Sequence, residues 1–520
     1  MASDDRDINP WMIALAVILP TFMEVLDTSI ASVSLPYIAG SLSASIDEAT
    51  WVLTSYLVAN AIVLPASGWF SLRFGRKRFL ITCIIIFTIS SFVCGASTSL
   101  AMILIARAVQ GAGGGALQPL SQAILLESFP PNKRGLAMAM FGLGVVVAPV
   151  LGPTLGGWLT DTYSWRWAFY INIPVGMLAI AMIMRYVRDP YYIKHARVGR
   201  MDKIGFGLLA IWLATLQIIL DKGQEDDWFG ATWIRWGTVI LIVAFVAFIV
   251  WEWNKHQPLV NLRVFRNRNF AVGCLLIALF GGVIYGLVTL LPLFYQTLLG
   301  YTALLSGIAV SPRGLGAIVA MPMIGLLTSR IDNRWLIAFG FALFAACSFW
   351  FADINLVIGQ WTLTWAIILS GFASGCVFVP LSTTAMAQLP NEQIGNASGL
   401  YNLLRNIGGS IGISMIETML SRHEQIHRAD LAHNLNPDNR LFTQQLSGLA
   451  TYIQQVPYQD LYLPSQRALD IVGQSLSQQA ALLSFVDDFR YLGLVCIVCV
   501  PLVFLLKKAL ARKGAVSAAH

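Results

Sequence analysis

The chain has 520 residues, of which 57% are hydrophobic and only 12% charged. Soluble domains carry roughly 25% charged residues, and apolar runs such as 79–104, with no charged side chain, exclude a soluble fold. The formal net charge of +7 does not indicate nucleic acid as a partner, because Lys and Arg are dispersed in short loops between apolar runs, the arrangement that orients membrane spans.

About 20 apolar residues cross a hydrocarbon core of roughly 30 Å. On that measure the apolar runs predict an all-α polytopic membrane protein with fourteen spans. They fall near 11–35, 49–70, 79–97, 100–127, 134–160, 167–187, 204–221, 233–253, 269–298, 302–328, 335–352, 360–388, 395–420 and 487–506. The first run follows an acidic tail and lacks a small-residue cleavage pattern, so it is expected to stay as a helix. With a cytoplasmic amino terminus and one crossing per run, the inside loops gather Arg73/Arg76/Lys77/Arg78, Lys133/Arg134, Arg188–Lys203, Lys255–Arg268 and Arg330/Arg334. The outside loops are poor in Lys and Arg, and 221–227 is acidic. The positive-inside rule then supports an even number of spans with both termini cytoplasmic. The outer segment 421–486, rich in Gln, Asn and Leu, is long enough to need a reason. It is expected to be partly helical, either a passive insertion, a cover over the transport mouth or a docking surface.

The seven cysteines lie in apolar segments and form no disulfide framework, and none of the six histidines lies inside a span. His423 and His427 have the i,i+4 spacing of a metal pair, but a solvated helix face is the simpler reading. No phosphate-binding Gly-rich loop is present. No cofactor or metal is expected.

The two ends of the chain resemble each other. Gly68–Leu80 after the second span and Gly325–Ile337 after the tenth keep Gly, the first Arg and a later basic residue at equal separations. Leu35-Pro36 matches Leu291-Pro292, and Gly111 to Pro119 matches Gly371 to Pro380. Repeated halves are how many transporters build a central site that faces either side by rocking. The expected division is a cytoplasmic tail 1–10, a six-helix bundle 11–187, linkers with two inserted helices 188–268, a second bundle 269–506 and a cytoplasmic tail 507–520.

Glu24 and Asp27 are the most informative residues. Glu24 lies about 20 Å along a helix that starts at Trp11, near mid-membrane. A carboxylate there costs at least a few kcal/mol, so a functional role is the default. Such a group takes up a proton in dry surroundings and releases it when water or a cation arrives. The i,i+3 spacing puts the pair on neighbouring helix faces. Arg107, in the fourth span, is the natural counter-charge. Pro149 and Pro153 remove backbone donors from the fifth span, while Ala148, Gly152 and Gly156 allow another helix to pack closely. Phe22, Tyr56, Gln118, Gln122, Tyr285 and Asn402 are candidate lining of a mostly apolar cavity suited to amphipathic compounds.

These features carry a resemblance to the major facilitator superfamily, specifically its fourteen-span drug:proton antiporter branch of EmrB/QacA type. The carriers are Leu26-Asp27-Thr-Ser-Ile30 with Leu35-Pro36, the Gly68–Arg78 loop, Arg107–Gly111, Ala148–Gly157, Trp165–Gly176 and Gly399–Gly409. The resemblance implies two pseudo-symmetric six-helix bundles plus two inserted helices. It implies proton transfer involving Asp27 and Arg107, a cavity position for Arg405, gating by Gly68, Arg73, Gly75 and Arg76, and an antiporter motif in Pro149, Gly152, Pro153, Gly156 and Gly157. The function it implies is proton-coupled export of amphipathic drugs or toxic small molecules, with a periplasmic membrane-fusion adaptor of EmrA type and an outer-membrane channel. Alternatives are a dedicated proton-linked transporter of one metabolite, such as a fatty acid or siderophore, and a non-transport scaffold. One position departs from the family: the acid that usually precedes the first loop Arg is Leu72 here, so its charge contact must be absent or replaced.

Overall fold

The computed structural model describes residues 9–194, 199–356, 358–433, 435–436, 438–455 and 464–508. Most of both expected cytoplasmic tails therefore lies outside the described residues, as do 456–463 of the long outer segment. All regular structure among the described residues is helical. The first group contains α1 (Pro10–Ser41), α2 (Ile46–Phe74), α3 (Arg76–Gly95), α4 (Leu100–Gly114), α5 (Leu117–Ser128), α6 (Arg134–Thr162), α7 (Trp167–Tyr170), α8 (Asn172–Tyr186) and the short α9 (Tyr191–Lys194). Then come α10 (Lys203–Lys222) and α11 (Thr232–Asn254). The last group is α12 (Arg268–Thr297), α13 (Ala303–Val310), α14 (Pro312–Leu327), α15 (Asn333–Phe351), α16 (Gln360–Met386), α17 (Asn391–His433), α18 (Arg440–Gln455) and α19 (Pro464–Val503).

Local sequence explains where these helices begin and break. Ser45 and Glu48 form a reciprocal capping box at the start of α2. Gly75 joins α2 to α3 at φ +85°, which L side chains rarely adopt, and Asp189 Oδ1 accepts the Lys77 N–H at 2.8 Å. The expected span 100–127 is two helices, α4 and α5, interrupted around Gly115. There Gly111 and Gly115 lie against the backbone carbonyls of Tyr56 and Asn60 on α2, so any side chain would collide with that strand of backbone. The span 302–328 likewise breaks at Ser311, before Pro312, which has no N–H to continue the ladder.

Twelve helical stretches among the described residues are long and apolar enough to cross a membrane. The other two expected spans are 395–420, which lies within α17, and 487–506, which falls in α19 as far as Val503. Arg405 and Glu417 interrupt the first, and Asp487, Asp488 and Arg490 the second. Both helices pack inside the bundle, α17 against α12 and α2, and α19 against α15 and α12. At 43 and 40 residues they are about 65 and 60 Å long, roughly twice a hydrocarbon core. The described part of 421–486 is therefore mostly a continuation of these two helices, with α18 laid against α19. Asp487 holds them together: its Oδ2 lies 2.7 Å from His427 Nε2 and 3.9 Å from His423 Nδ1. Among the described residues no cluster of three His, Cys, Asp or Glu is placed to hold a metal.

Helices α1–α8 pack among themselves, as do α12–α19, and the two groups meet along α6–α14, α2–α17, α5–α17 and α6–α16. The α10–α11 hairpin lies beside them, α10 resting on both α2 and α17. Its outer helix exposes Ile240, Val243, Val246 and Val250, the apolar face that a lipid-facing helix presents.

Candidate functional site

The first polar layer lies inside the first helix group. Asp27 is 1% exposed and its carboxylate is saturated. Oδ2 accepts from Arg107 Nη1 at 2.6 Å, and Oδ1 from Gln110 Nε2 at 2.9 Å and Asn172 Nδ2 at 2.6 Å. Gln110 and Asn172 also donate to Ser91 Oγ at 3.2 and 2.9 Å. Arg107 donates from Nε to Val52 O at 3.0 Å, and its guanidinium carbon lies 4.2 Å from the centre of the Tyr56 ring. Four helices, α1, α3, α4 and α8, thus contribute one side chain or more to a buried ion pair whose carboxylate is fully hydrogen-bonded, as burying two charges requires, while Arg107 Nη2 is left without a hydrogen-bond partner.

Glu24, one turn earlier on α1, is held differently. Its Oε1 accepts from Asn60 Nδ2 at 3.0 Å, and its Oε2 is buried without a partner. Gln118 is a further neighbour of its carboxylate, and Arg405, across the boundary between the helix groups, is the nearby cation that acts on it. The i,i+3 pair therefore divides into a saturated carboxylate facing its own bundle and a half-satisfied one.

A second layer joins the two helix groups. Gln122 Oε1 accepts from Asn402 Nδ2 at 2.6 Å, and Gln118 Oε1 accepts from Arg405 Nη2. Arg405 in turn lines a cavity with Val146, Pro149, Phe280, Ile284, Tyr285, Arg313 and Phe378. Of the expected lining residues, Tyr285 and Arg405 do line this cavity. Gln118, Gln122 and Asn402 are instead buried in the amide contacts beside it. Tyr56 packs over Arg107 inside the first bundle, and Phe22 packs with a cluster that includes Leu26, Ile30 and Ala148.

The Pro149–Gly157 run fastens α6 to two neighbours. Pro153 has no N–H to offer the carbonyl of Pro149 one turn back, and Ser29 Oγ donates to that carbonyl instead, at 3.1 Å. Gly152 lies against Ser29 and Gly156 against the Ile30 backbone, with an added Cβ 3.2 Å from Ile30 Cα. Gly157 faces Leu304 on α13, in the other helix group.

The loop motif also has its partners. A Cβ on Gly68 would stand 2.9 Å from Asn396 Cα, and one on Gly325 would stand 2.9 Å from Ala139 Cβ and 3.0 Å from Gly135 O. Both copies of the repeated glycine thus sit where backbones of the two helix groups touch. Asn396 further exchanges hydrogen bonds with Asn261, N–H to Oδ1 at 3.0 Å and Nδ2 to O at 3.1 Å. Arg73 is exposed. Arg76 is 3% exposed, pairs with Glu127 at 2.8 Å and donates to Tyr192 Oη at 3.0 Å. With Leu72 in place of the family's acid, the loop's charge contact is made by Arg76 to Glu127 on α5. Sequence reasoning did not single out Asn60, Ser91, Glu127 or Tyr192, and it met Gln110 and Asn172 only as parts of motif runs. Polar residues inside apolar spans were the one available signal.

A polytopic helical bundle with paired helix groups, a buried ion pair in one and a central cavity between them defines a membrane transporter, not an enzyme. The profile described as Major Facilitator Superfamily matches residues 17–413, and the chain belongs to that superfamily. It is 37% identical over 515 residues to "Multidrug export protein EmrB" of Escherichia coli strain K12, covering 98% of both chains. It is 35% identical to "Fatty acid resistance protein FarB" of Neisseria gonorrhoeae, covering 95% of this chain and 96% of that one. Among solved structures, a double Trp XylE mutant superposes with a TM-score of 0.61 at 14% identity, covering 96% of each chain, which establishes the shared fold.

Proposed function

We propose that this protein is a proton-coupled antiporter that exports amphipathic small molecules across a bacterial inner membrane through fourteen crossings, with both termini cytoplasmic. The observation that carries the reading is the division of labour on α1. Asp27 is fixed by Arg107, Gln110 and Asn172, whereas Glu24 keeps one buried oxygen unpartnered. Glu24 is then the group that exchanges its proton, and the Asp27–Arg107 pair is the rigid charge that holds α1 and α4 in register. Protonated, Glu24 places no charge in a dry centre; when water or ligand reaches it, the proton leaves. Gln118–Arg405 and Gln122–Asn402 bridge the two helix groups, so rearrangement of the central cavity is felt by both.

The driving force is sufficient without nucleotide. One charge crossing 100 mV supplies about 2.3 kcal/mol, and one pH unit about 1.4 more. The Gly68 and Gly325 contacts lie on the face that carries the basic loops, which orientation by charge makes cytoplasmic. The geometry described is then closed toward the cytoplasm. The E. coli and Neisseria relatives carry names that denote drug export and fatty acid resistance, and both fit an amphipathic cargo. The long outer extension of α17 and α19 offers a docking surface for a periplasmic membrane-fusion adaptor and, through it, an outer-membrane channel. No cofactor is needed. The test uses reconstituted vesicles with the cytoplasmic face outward and an acidified lumen. Adding substrate outside should release lumenal protons, and Glu24→Gln should abolish the release while the protein remains folded. Unchanged release from Glu24→Gln refutes the assignment. A transporter dedicated to one metabolite would respond to a single compound of a chemically mixed panel.

A further inference from the structure

A second cavity, of about 260 Å³, lies away from the central one, where the α10–α11 hairpin rests on the seam of the two helix groups. Helices α10 and α11 form one wall, Pro65 of α2 and Leu404 of α17 belong to the other, and a short 3-10 helix, Leu262–Arg266, adds Leu262 and Phe265. Every residue that lines it is apolar. Ile249 and Trp253 line it and are also exposed, so it opens at the outer surface of the hairpin. Polar contacts behind the wall fix its frame. Glu252 Oε2 accepts from the Val260 N–H at 3.3 Å, and Asn261 is tied to Asn396 by the two hydrogen bonds already described. Water is a poor occupant, since a buried water needs several polar partners, whereas apolar cavities stay dry and take up hydrocarbon.

The turn beside the opening is cationic. Arg263 and Arg266 are exposed and stand on the same 3-10 helix as Leu262 and Phe265. The Arg266 guanidinium carbon lies 5.6 Å from the centre of the Trp253 ring, and Arg263 Nη2 donates to the carbonyls of Trp253 and Lys255 at 3.4 and 3.3 Å. Lys255 lies 3.7 Å from Asp202, but among the described residues no carboxylate pairs with Arg263 or Arg266. Orientation by charge puts this turn at the cytoplasmic surface, and an exposed tryptophan suits the headgroup level of a bilayer. An apolar slot with two free cations at its mouth has the polarity of a lipid in reverse.

We propose that this cavity holds one acyl chain of an anionic phospholipid from the cytoplasmic leaflet, with the phosphate against Arg263 and Arg266. Basic pockets between helices on that side of a membrane suit anionic headgroups, whereas walls without a polar group give a cargo molecule nothing to orient it. Pro65 and Leu404 belong to different helix groups, so the bound chain touches both sides of the seam and favours the geometry in which α2 and α17 stay together. The inference rests on the orientation proposed above and goes beyond the transport reading. Its test needs neither a proton gradient nor turnover, so failure of one reading is distinguishable from failure of the other.

The experiment is native mass spectrometry of the full-length protein, delipidated in detergent and titrated with dioleoyl phosphatidylglycerol or dioleoyl phosphatidylcholine. The first equivalent of phosphatidylglycerol should bind at least about tenfold tighter, the effect of two basic side chains on an anionic lipid. Arg263→Gln/Arg266→Gln should reduce it to the level of phosphatidylcholine. Leu404→Trp fills the cavity and keeps both arginines, and it should weaken phosphatidylglycerol about tenfold or more, the effect of displacing two methylenes. Equal binding of the two lipids overturns the proposal. So does wild-type affinity in a folded Leu404→Trp protein, which would leave surface charge alone as the attraction. If Leu404→Trp does not fold, Ile249→Trp fills the same cavity from its exposed side and must show the same loss. Dodecyltrimethylammonium should not displace the lipid; displacement at equal concentration would assign the cavity to cargo and overturn the proposal.

Discussion

Replacing Asp27 by Asn keeps the shape of the side chain and removes its charge. Arg107, 0% exposed, then stays charged with Gln110 Oε1 at 2.8 Å, Val52 O at 3.0 Å, the Tyr56 and Phe169 rings and a neutral amide oxygen in place of the carboxylate. Breaking a buried pair in this way costs about 3–5 kcal/mol, and the neutral contacts that remain already exist in the wild type, so they offset none of it. Adding Arg107→Gln withdraws the stranded charge, and stability should return to within about 1–2 kcal/mol of the wild type. Glu24→Gln belongs to a different class. Gln preserves the acceptor for Asn60 and turns an amide toward the unpartnered oxygen's position, a change worth about 1 kcal/mol or less. Thermal unfolding in detergent, followed by intrinsic tryptophan fluorescence, should thus rank Asp27→Asn well below Glu24→Gln and below the Asp27→Asn/Arg107→Gln double variant. Proton release from reconstituted vesicles should be lost in all three. If Asp27→Asn is as stable as the wild type, or the double variant is no more stable than the single one, the ion pair does not hold the bundle as argued.

Gly68→Val places a side chain where Asn396 backbone already stands, so spin labels at the exposed positions Arg73 and Glu392 should report longer distances and transport should fail. Unchanged distances would show that the two faces do not meet there. Arg76 and Glu127, both almost fully buried at 2.8 Å, should show a coupling of about 1–3 kcal/mol in a double-mutant cycle on thermal stability; additive losses would mean that the pair does not replace the family's loop contact. Ser29→Ala strips the donor from the Pro149 carbonyl and should destabilise by about 1–3 kcal/mol, whereas Ser29→Thr, which retains the hydroxyl, should lose less; equal losses would show that only packing matters.

Hydropathy and charge made the spans legible because both act along the chain. The repeat was legible for the same reason, since Gly68 and Gly325 keep their neighbours at fixed offsets, and the structure finds both at backbone contacts between the helix groups. The pairing of Arg107 with Asp27 could be anticipated, as few charges are available at that depth. What separated Asp27 from Glu24 was not legible. The i,i+3 spacing fixes their relative angle but not what stands opposite, and Asn172, Gln110 and Asn60 come from helices whose approach is set by packing. Tyr56 illustrates the same limit: an aromatic in a span reads as cavity lining, yet the crossing of α2 and α4 lays it on Arg107. The break in the span 302–328 had a local cause in Pro312, whereas the interruption of 100–127 depends on how closely α2 approaches Gly111 and Gly115. The reach of α17 and α19 beyond their apolar runs escaped a reading based on hydropathy, because helix continues there in polar sequence.

The closed face has one more consequence. The contacts that join the two sides there, Gly68 to Asn396, Gly325 to Gly135 and Ala139, and the Tyr192 hydroxyl to the Asn391 carbonyl at 3.4 Å, are all between uncharged groups. Ion pairs exposed to a cell interior weaken as salt rises, over a screening length of about 8 Å at physiological ionic strength. A latch made of backbone contact and a neutral hydroxyl–carbonyl hydrogen bond has no such dependence. With Leu72 in the position of an acid, the loop's charge is spent within the first bundle, on Arg76 and Glu127, and the seam between bundles is left to shape. The balance between the two faces of this carrier should therefore hold steady through the swings in cytoplasmic salt that accompany osmotic stress, the circumstance in which a leak would be most damaging.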